Sequence, residues 1–126
     1  MQKNGGFMMA IEDLKIERFT GTNEDVIVLV LTGPISVHTY EQLDASFAEL
    51  LRQDRYNIVV DMTGVRYVSS AGAGVLMNML TQTRDNNGGL VLINLSQGVS
   101  EIFELLNLSD VLPIAPDLPT ALNILK

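Results

Sequence analysis

Asp61-Met-Thr-Gly-Val-Arg-Tyr-Val-Ser-Ser-Ala-Gly-Ala-Gly-Val-Leu76 sets the reading of the whole chain. Before it stands Ile58-Val-Val60, a short β-branched run of the kind that forms a buried strand. After it, apolar residues recur with helical spacing, and Leu76, Met79, Leu80 and Thr83 share one stripe. The spacing predicts a helix over residues 71–84. Ser69 and Ser70 stand at its start, where a hydroxyl can accept from the free N–H groups of the first turn. Gly72 and Gly74 fall inside that turn, and each costs about 1 kcal/mol against alanine in a helix. Glycine is kept where backbone must come close to the protein's own sheet or to a partner. The loop thus presents a hydroxyl at the positive end of a helix, with only tiny side chains around it.

Upstream, Val26-Ile-Val-Leu-Val-Leu31 is continuous and apolar, as in a central strand buried on both faces. Leu14-Lys-Ile-Glu-Arg-Phe19 alternates apolar and polar residues like a half-buried strand, and Gly21-Thr-Asn-Glu24 reads as the hairpin turn between the two. Gly33 and Pro34 interrupt regular structure over residues 32–36. From Thr39 the spacing turns helical, with Leu43, Phe47, Leu50 and Leu51 on one stripe. The strand before the focal loop is expected over residues 57–61.

Downstream, Asn86-Asn-Gly-Gly89 stops the focal helix, and Leu90-Val-Leu-Ile93 is a third continuous apolar strand. Ser96 or Gln97 opens a helix expected to bury Ile102, Phe103, Leu105 and Leu106. Val111-Leu-Pro-Ile114 reads as a short strand, placed at an edge by Pro113. A last helix is expected over residues 120–125. The order is β-β-α-β-α-β-α-β-α. That is an α/β fold: a mostly parallel sheet of about five strands, one antiparallel opening hairpin and about four helices. Residues 11–126 read as one domain, and residues 1–10 as a disordered tail in which Met8 or Met9 could be the natural start.

The chain has 126 residues, 47% of them hydrophobic, which suffices for a packed core. A net charge of −7 argues against nucleic acid or an anionic membrane as partner, since both ask for basic patches. A basic groove on another protein fits better. The absence of cysteine removes disulfides and thiol chemistry and suits a reducing cytoplasm. The first ten residues lack the apolar core of a signal peptide, and the longest apolar run is too short to span a bilayer.

Catalysis finds little material. The chain has one histidine, His38, and its carboxylates are spread at surface spacing, so neither a metal site nor a cofactor is expected. There is no G-x-S-x-G elbow and no phosphate-binding G-x-x-x-x-G-K-[ST]. Met77 stands where a dinucleotide fingerprint would need its third glycine. Two readings of the serines stay open. In one, Ser69 or Ser70 only caps the helix. In the other, Ser70 is modified, because a phosphate of roughly −1.5 to −2 charges is tolerated at a helix N-terminus.

In order and spacing these residues resemble a STAS domain, specifically the bacterial anti-sigma-factor antagonists, over nearly the whole chain. The blocks are Leu31-Thr-Gly-Pro-Ile-Ser36, Ile58-Val-Val-Asp61 and, most specific, Val68-Ser-Ser-Ala-Gly-Ala-Gly-Val-Leu76. Gly88-Gly-Leu-Val-Leu92 and the helix ending in Leu-Leu-Asn-Leu108 also match. The resemblance puts Ser70 at the family's phosphorylated serine, with Ser69 as second candidate. It implies that the unphosphorylated protein binds an anti-sigma factor, a serine/threonine kinase of the histidine-kinase-like ATPase fold, and so frees the sigma factor. Phosphorylation ends binding, and a PP2C-type phosphatase resets the cycle. The sequence departs from the family pattern in three respects. Ser69 replaces the usual Asp, Pro34 and Ser36 replace acidic residues, and Ala73 replaces a leucine. The first two remove negative charge near Ser70. They leave room for an alternative: a STAS scaffold without phosphorylation, such as an accessory subunit of a lipid-transporting ABC complex. The expected contact face joins the focal helix to the loop at residues 34–40. It comprises Ser36, His38, Arg66, Ser69, Ser70, Ala71, Gly72, Ala73 and Gly74.

Overall fold

The computed structural model describes residues 12–20 and 25–126. Nine elements follow the expected order: β1 (Lys15–Thr20), β2 (Val26–Thr32), α1 (Tyr40–Arg52), β3 (Asn57–Gly64), α2 (Ser70–Asp85), β4 (Gly89–Ile93), α3 (Gln97–Leu105), β5 (Ile114–Ala115) and α4 (Leu118–Ile124). The strands form one sheet in the order β1-β2-β3-β4-β5. β1 is antiparallel to β2 and every other pair is parallel. The expected tail at residues 1–10 and turn at 21–24 lie outside the described residues.

Strand residues alternate between faces, and the two sets build two cores. Ile27, Leu29, Leu31, Ile58, Val60, Met62, Leu90 and Leu92 face the helical layer of α1, α2 and α3, meeting Leu43, Phe47, Leu76, Met79 and Phe103 there. Val26, Val28, Val59, Val91 and Ile93 face the other way, where Ala121 and Leu122 of α4 pack on them. Burial on both faces is why β2, β3 and β4 are continuous apolar runs. No described helix is long and apolar enough to cross a membrane.

Several boundaries differ from the sequence reading. β3 continues to Gly64 because its pairing with β2 persists to Thr32↔Gly64, past a register shift. The left-handed residue after α2 is Asn87 at φ 63°, not a glycine. Leu51 is only half-buried. β5 begins after Pro113: a ring nitrogen has no N–H to donate. Val111 and Leu112 instead close a turn on the Leu108 carbonyl, and the Pro113 carbonyl accepts from Leu92 N at 2.9 Å. α4 starts two residues early because Pro119 belongs to its first turn, with the Asp117 side chain accepting from Thr120 N as cap.

The largest correction concerns α3. Its buried residues are Val99 and Phe103. Leu105 is 82% exposed and Leu106 37% exposed, although both were expected inside. At about 100° per residue Leu105 points roughly 120° away from Val99. Leu106 shares Val99's stripe but is the C-cap, where the helix has already ended.

Candidate functional site

The structure separates the two serines. Ser69 is the N-cap of α2, in extended backbone, and its Oγ accepts from Gly72 N at 3.0 Å. Its own N–H donates to the Ile35 carbonyl at 2.7 Å, and it is buried. Ser70 is the first helical residue and is exposed. One hydroxyl is therefore used inside the fold, while its neighbour faces solvent at the positive end of a sixteen-residue helix.

The two glycines differ in the same way. A Cβ on Gly72 would stand 2.5 Å from Ile35 Cγ2 and 2.8 Å from the Ile35 carbonyl oxygen. Gly72 is thus demanded by the contact between the helix and Ile35 in the loop that follows β2. A Cβ on Gly74 would meet nothing within 4 Å. Gly74 is exposed, one helical turn from Ser70, and nothing within the described fold requires it.

Ile35 ties the second loop to this site. It bridges Val68 in parallel, and its N–H donates to the Tyr67 carbonyl at 2.9 Å. The loop after it is closed by hydroxyls. Ser36 N donates to Thr39 Oγ1 at 2.8 Å, His38 N to Ser36 Oγ at 3.1 Å, and Thr39 Oγ1 to the Pro34 carbonyl at 2.6 Å. Ser36 therefore closes the turn, a task that suits Ser as well as Asp. His38 and Arg66 are exposed. Of the tiny residues, Ala71 is half-buried and Gly72 and Ala73 face the interior, so Ser70 and Gly74 are what the start of α2 offers outward.

Two exposed apolar side chains flank these loops and were missed from sequence: Val37, 64% exposed, and Tyr67, 50% exposed. Tyr67 sits between buried Val65 and Val68, so by pattern it reads as core. The available signal was its pairing with Arg66 in a segment too short for either regular period. Arg66 and Tyr67 also line a cleft of about 430 Å³ with Gly33, Pro34 and the charged Asp13 and Lys15.

The chain has 15 acidic residues, yet none falls in residues 26–40 or 62–84, the two segments that build this site. The surface around Ser70 is charge-poor, with Arg66 as its nearest cation in sequence. Asp61 lies just outside, at the start of the focal stretch. Its Oδ1 accepts from Thr63 N at 3.0 Å, Thr63 Oγ1 at 2.6 Å and Asn94 Nδ2 at 3.2 Å. Partial burial opposes its ionisation, but those hydrogen bonds hold the carboxyl below its ordinary value.

Comparison with known proteins bears on the family and the fold. The family described as the STAS domain matches residues 20–121. A candidate anti-sigma factor antagonist of Bordetella bronchiseptica, BtrV, is 30% identical over 92 residues, covering 73% of this chain and 79% of the relative. A crystal structure of a candidate anti-sigma factor antagonist from Thermotoga maritima superposes with a TM-score of 0.80 at 19% identity, covering 87% of this chain and 93% of the other. The phosphorylated form of the Bacillus cell fate determinant SpoIIAA gives a TM-score of 0.63 at 19% identity, over 88% and 97% of the two chains. These structural likenesses fix the fold, the family match and the relative fix the kinship, and the chain belongs to the STAS domain family, with the bacterial anti-sigma-factor antagonists.

Proposed function

We propose that this chain is an anti-sigma factor antagonist that works by partner switching at Ser70. In its unphosphorylated form it docks on an anti-sigma factor, a serine/threonine kinase of the histidine-kinase-like ATPase fold, and a sigma factor is released. Transfer of a phosphoryl group to Ser70 Oγ ends the complex, and a PP2C-type phosphatase restores the hydroxyl. The observation that carries this reading is the division of labour at α2: Ser69 serves as the buried cap and leaves Ser70 exposed. Gly74 supports it, because a helix glycine with no internal neighbour is explained by a surface that must approach closely.

The charge pattern supplies the switch. With no acidic residue in the two segments that build the site, a phosphate of roughly −1.5 to −2 charges becomes the dominant charge beside Ser70. At the helix N-terminus it leaves the fold intact. Its effect falls on the partner, as bulk and desolvation cost at the contact. Val37, Tyr67, His38 and Arg66 are assigned to the same contact face as Ser70 and Gly74.

Capture from lysate of the native host, with wild type and Ser70→Glu side by side, tests the proposal. Wild type should retain a small ATPase-fold serine kinase that Ser70→Glu does not. Equal capture of the same proteins by both forms would sink the switch and leave a scaffold role, with the serines serving the helix alone.

A further inference from the structure

β1 forms one edge of the sheet, and among the described residues no strand lies on its outer side. In an antiparallel pair alternate residues turn their N–H and C=O groups away from the partner strand. Half of β1 therefore presents donors and acceptors placed to receive another strand. The opposite edge offers far less, because β5 has two residues and follows Pro113. β1 runs away from the candidate site, from Lys15 beside Thr32 at the end of β2 to Thr20 beside Ile27 near its start.

Beside this edge lies a groove of about 160 Å³ between β1 and α1, lined by Ile16, Arg18, Leu29, Ser46, Glu49 and Leu50. Leu29 and Leu50 are buried and Ile16 is half-buried, so its floor is apolar. About 150 Å³ suffices for a benzene ring, so the groove has room for one apolar side chain. A strand laid along β1 sets every second side chain on the α1 face, and the one opposite Ile16 stands at the groove. The charges on β1 are mixed in sign. Arg18 shares the α1 face with Ile16, while Lys15, Glu17 and Phe19 take the other face. Among the described residues Arg18 makes no ion pair, and Lys15 and Glu17 approach only to 3.9 Å in solvent. Two copies paired antiparallel about a two-fold axis must match residues of the same face. The register over residues 15–19 then sets Glu17 against Glu17, and that over residues 16–20 sets Arg18 against Arg18. The edge thus disfavours a second copy and suits a strand of complementary charge.

We propose that β1 is a second docking site, which takes an extended segment of a partner protein as an added antiparallel strand. That segment carries a leucine or phenylalanine opposite Ile16, an acidic residue opposite Arg18 and a basic residue opposite Glu17. A strand seated there leaves Ser70 open, so one protein holds the chain while another meets the serine.

The test is an NMR titration of the full chain with a synthetic peptide capped at both ends, Thr-Val-Glu-Lys-Leu-Glu, whose leucine is to stand opposite Ile16. Amide shifts should concentrate in residues 15–20 and 46–50. Replacing the peptide's leucine with alanine should weaken binding about tenfold, as loss of a central apolar anchor does. Arg18→Glu should weaken it about fivefold, and a peptide with lysine in place of its first glutamate should recover the loss. Arg18 is exposed, so that variant keeps its fold. Ser70→Glu should bind the peptide as wild type does. Absence of shifts in β1 at millimolar peptide, equal affinity of the alanine peptide, or an Arg18→Glu variant that neither loses affinity nor regains it by the charge swap would overturn the proposal. So would a concentration-dependent dimer in sedimentation whose interface maps to β1, because the edge would then belong to a second copy.

Discussion

The N–H of Ser69 donates to the carbonyl oxygen of Ile35 at 2.7 Å, and this bond joins the loop after β2 to the start of α2. It fixes which of two adjacent serines turns inward. Ser69→Ala should destabilise the chain by about 1 kcal/mol through loss of the cap, whereas Ser69→Asp, an equally good cap, should cost almost nothing. Urea unfolding of the two variants is the check. Equal losses would mean that the cap bond is not what holds the helix end.

Gly72 and Gly74 should respond oppositely to alanine. Gly72→Ala forces a methyl group against Ile35 and should cost roughly 1–3 kcal/mol. Gly74→Ala meets open space and should stabilise the isolated chain by about 1 kcal/mol, while weakening the complex with the proposed kinase. Thermal unfolding reads the first effect, and calorimetric titration with the kinase reads the second. Unimpaired binding by Gly74→Ala would remove that glycine from the contact face.

Tyr67 is half exposed, so Tyr67→Ala should leave stability within about 0.5 kcal/mol. If the aromatic ring anchors the partner, the same change should weaken kinase binding tenfold or more. Charge reversal at Arg66 or His38 should weaken it less, as rim charges do. Unchanged affinity in all three would place the interface elsewhere.

Asp61 gives the fold a pH dependence. Its folded carboxyl titrates below its ordinary value, so its contribution to stability is fully present above the unfolded pKa of about 3.9. That contribution is lost as pH falls through the lower folded value. Unfolding free energy measured down an acid series should therefore fall less steeply in Asp61→Asn than in wild type. Parallel curves would assign the acid limb to other carboxylates, such as Asp117 and Glu49, which also titrate low.

The sheet was legible because Val26 to Leu31, Ile58 to Val60 and Leu90 to Ile93 are apolar without alternation, a pattern that only two covered faces explain. The place of the candidate site was legible for a similar reason: two costly glycines in one helical turn ask for an explanation. What stayed hidden depends on distant chain. Ser69 and Ser70 have the same chemistry, and the choice between them is made by Ile35, far away in sequence. The two glycines look alike until Ile35 is seen beside one of them. Leu105 was misread because composition records that a leucine is apolar, whereas its exposure depends on where α3 ends. Tyr67 was overlooked because an aromatic between two valines has the sequence pattern of a buried residue.

The parallel bridge between Ile35 and Val68 has a consequence for timing. It moors the segment that carries Ser70 just beyond the C-terminal ends of β2 and β3, so the hydroxyl does not depend on a wandering loop. In the proposed cycle the chain then acts as a signpost and not as a lever. Writing or erasing the mark alters what a visitor meets, with no internal relaxation to wait for. The pace of the response belongs to the two enzymes that add and remove the phosphate, and this small domain contributes no memory of its own beyond a single covalent bit.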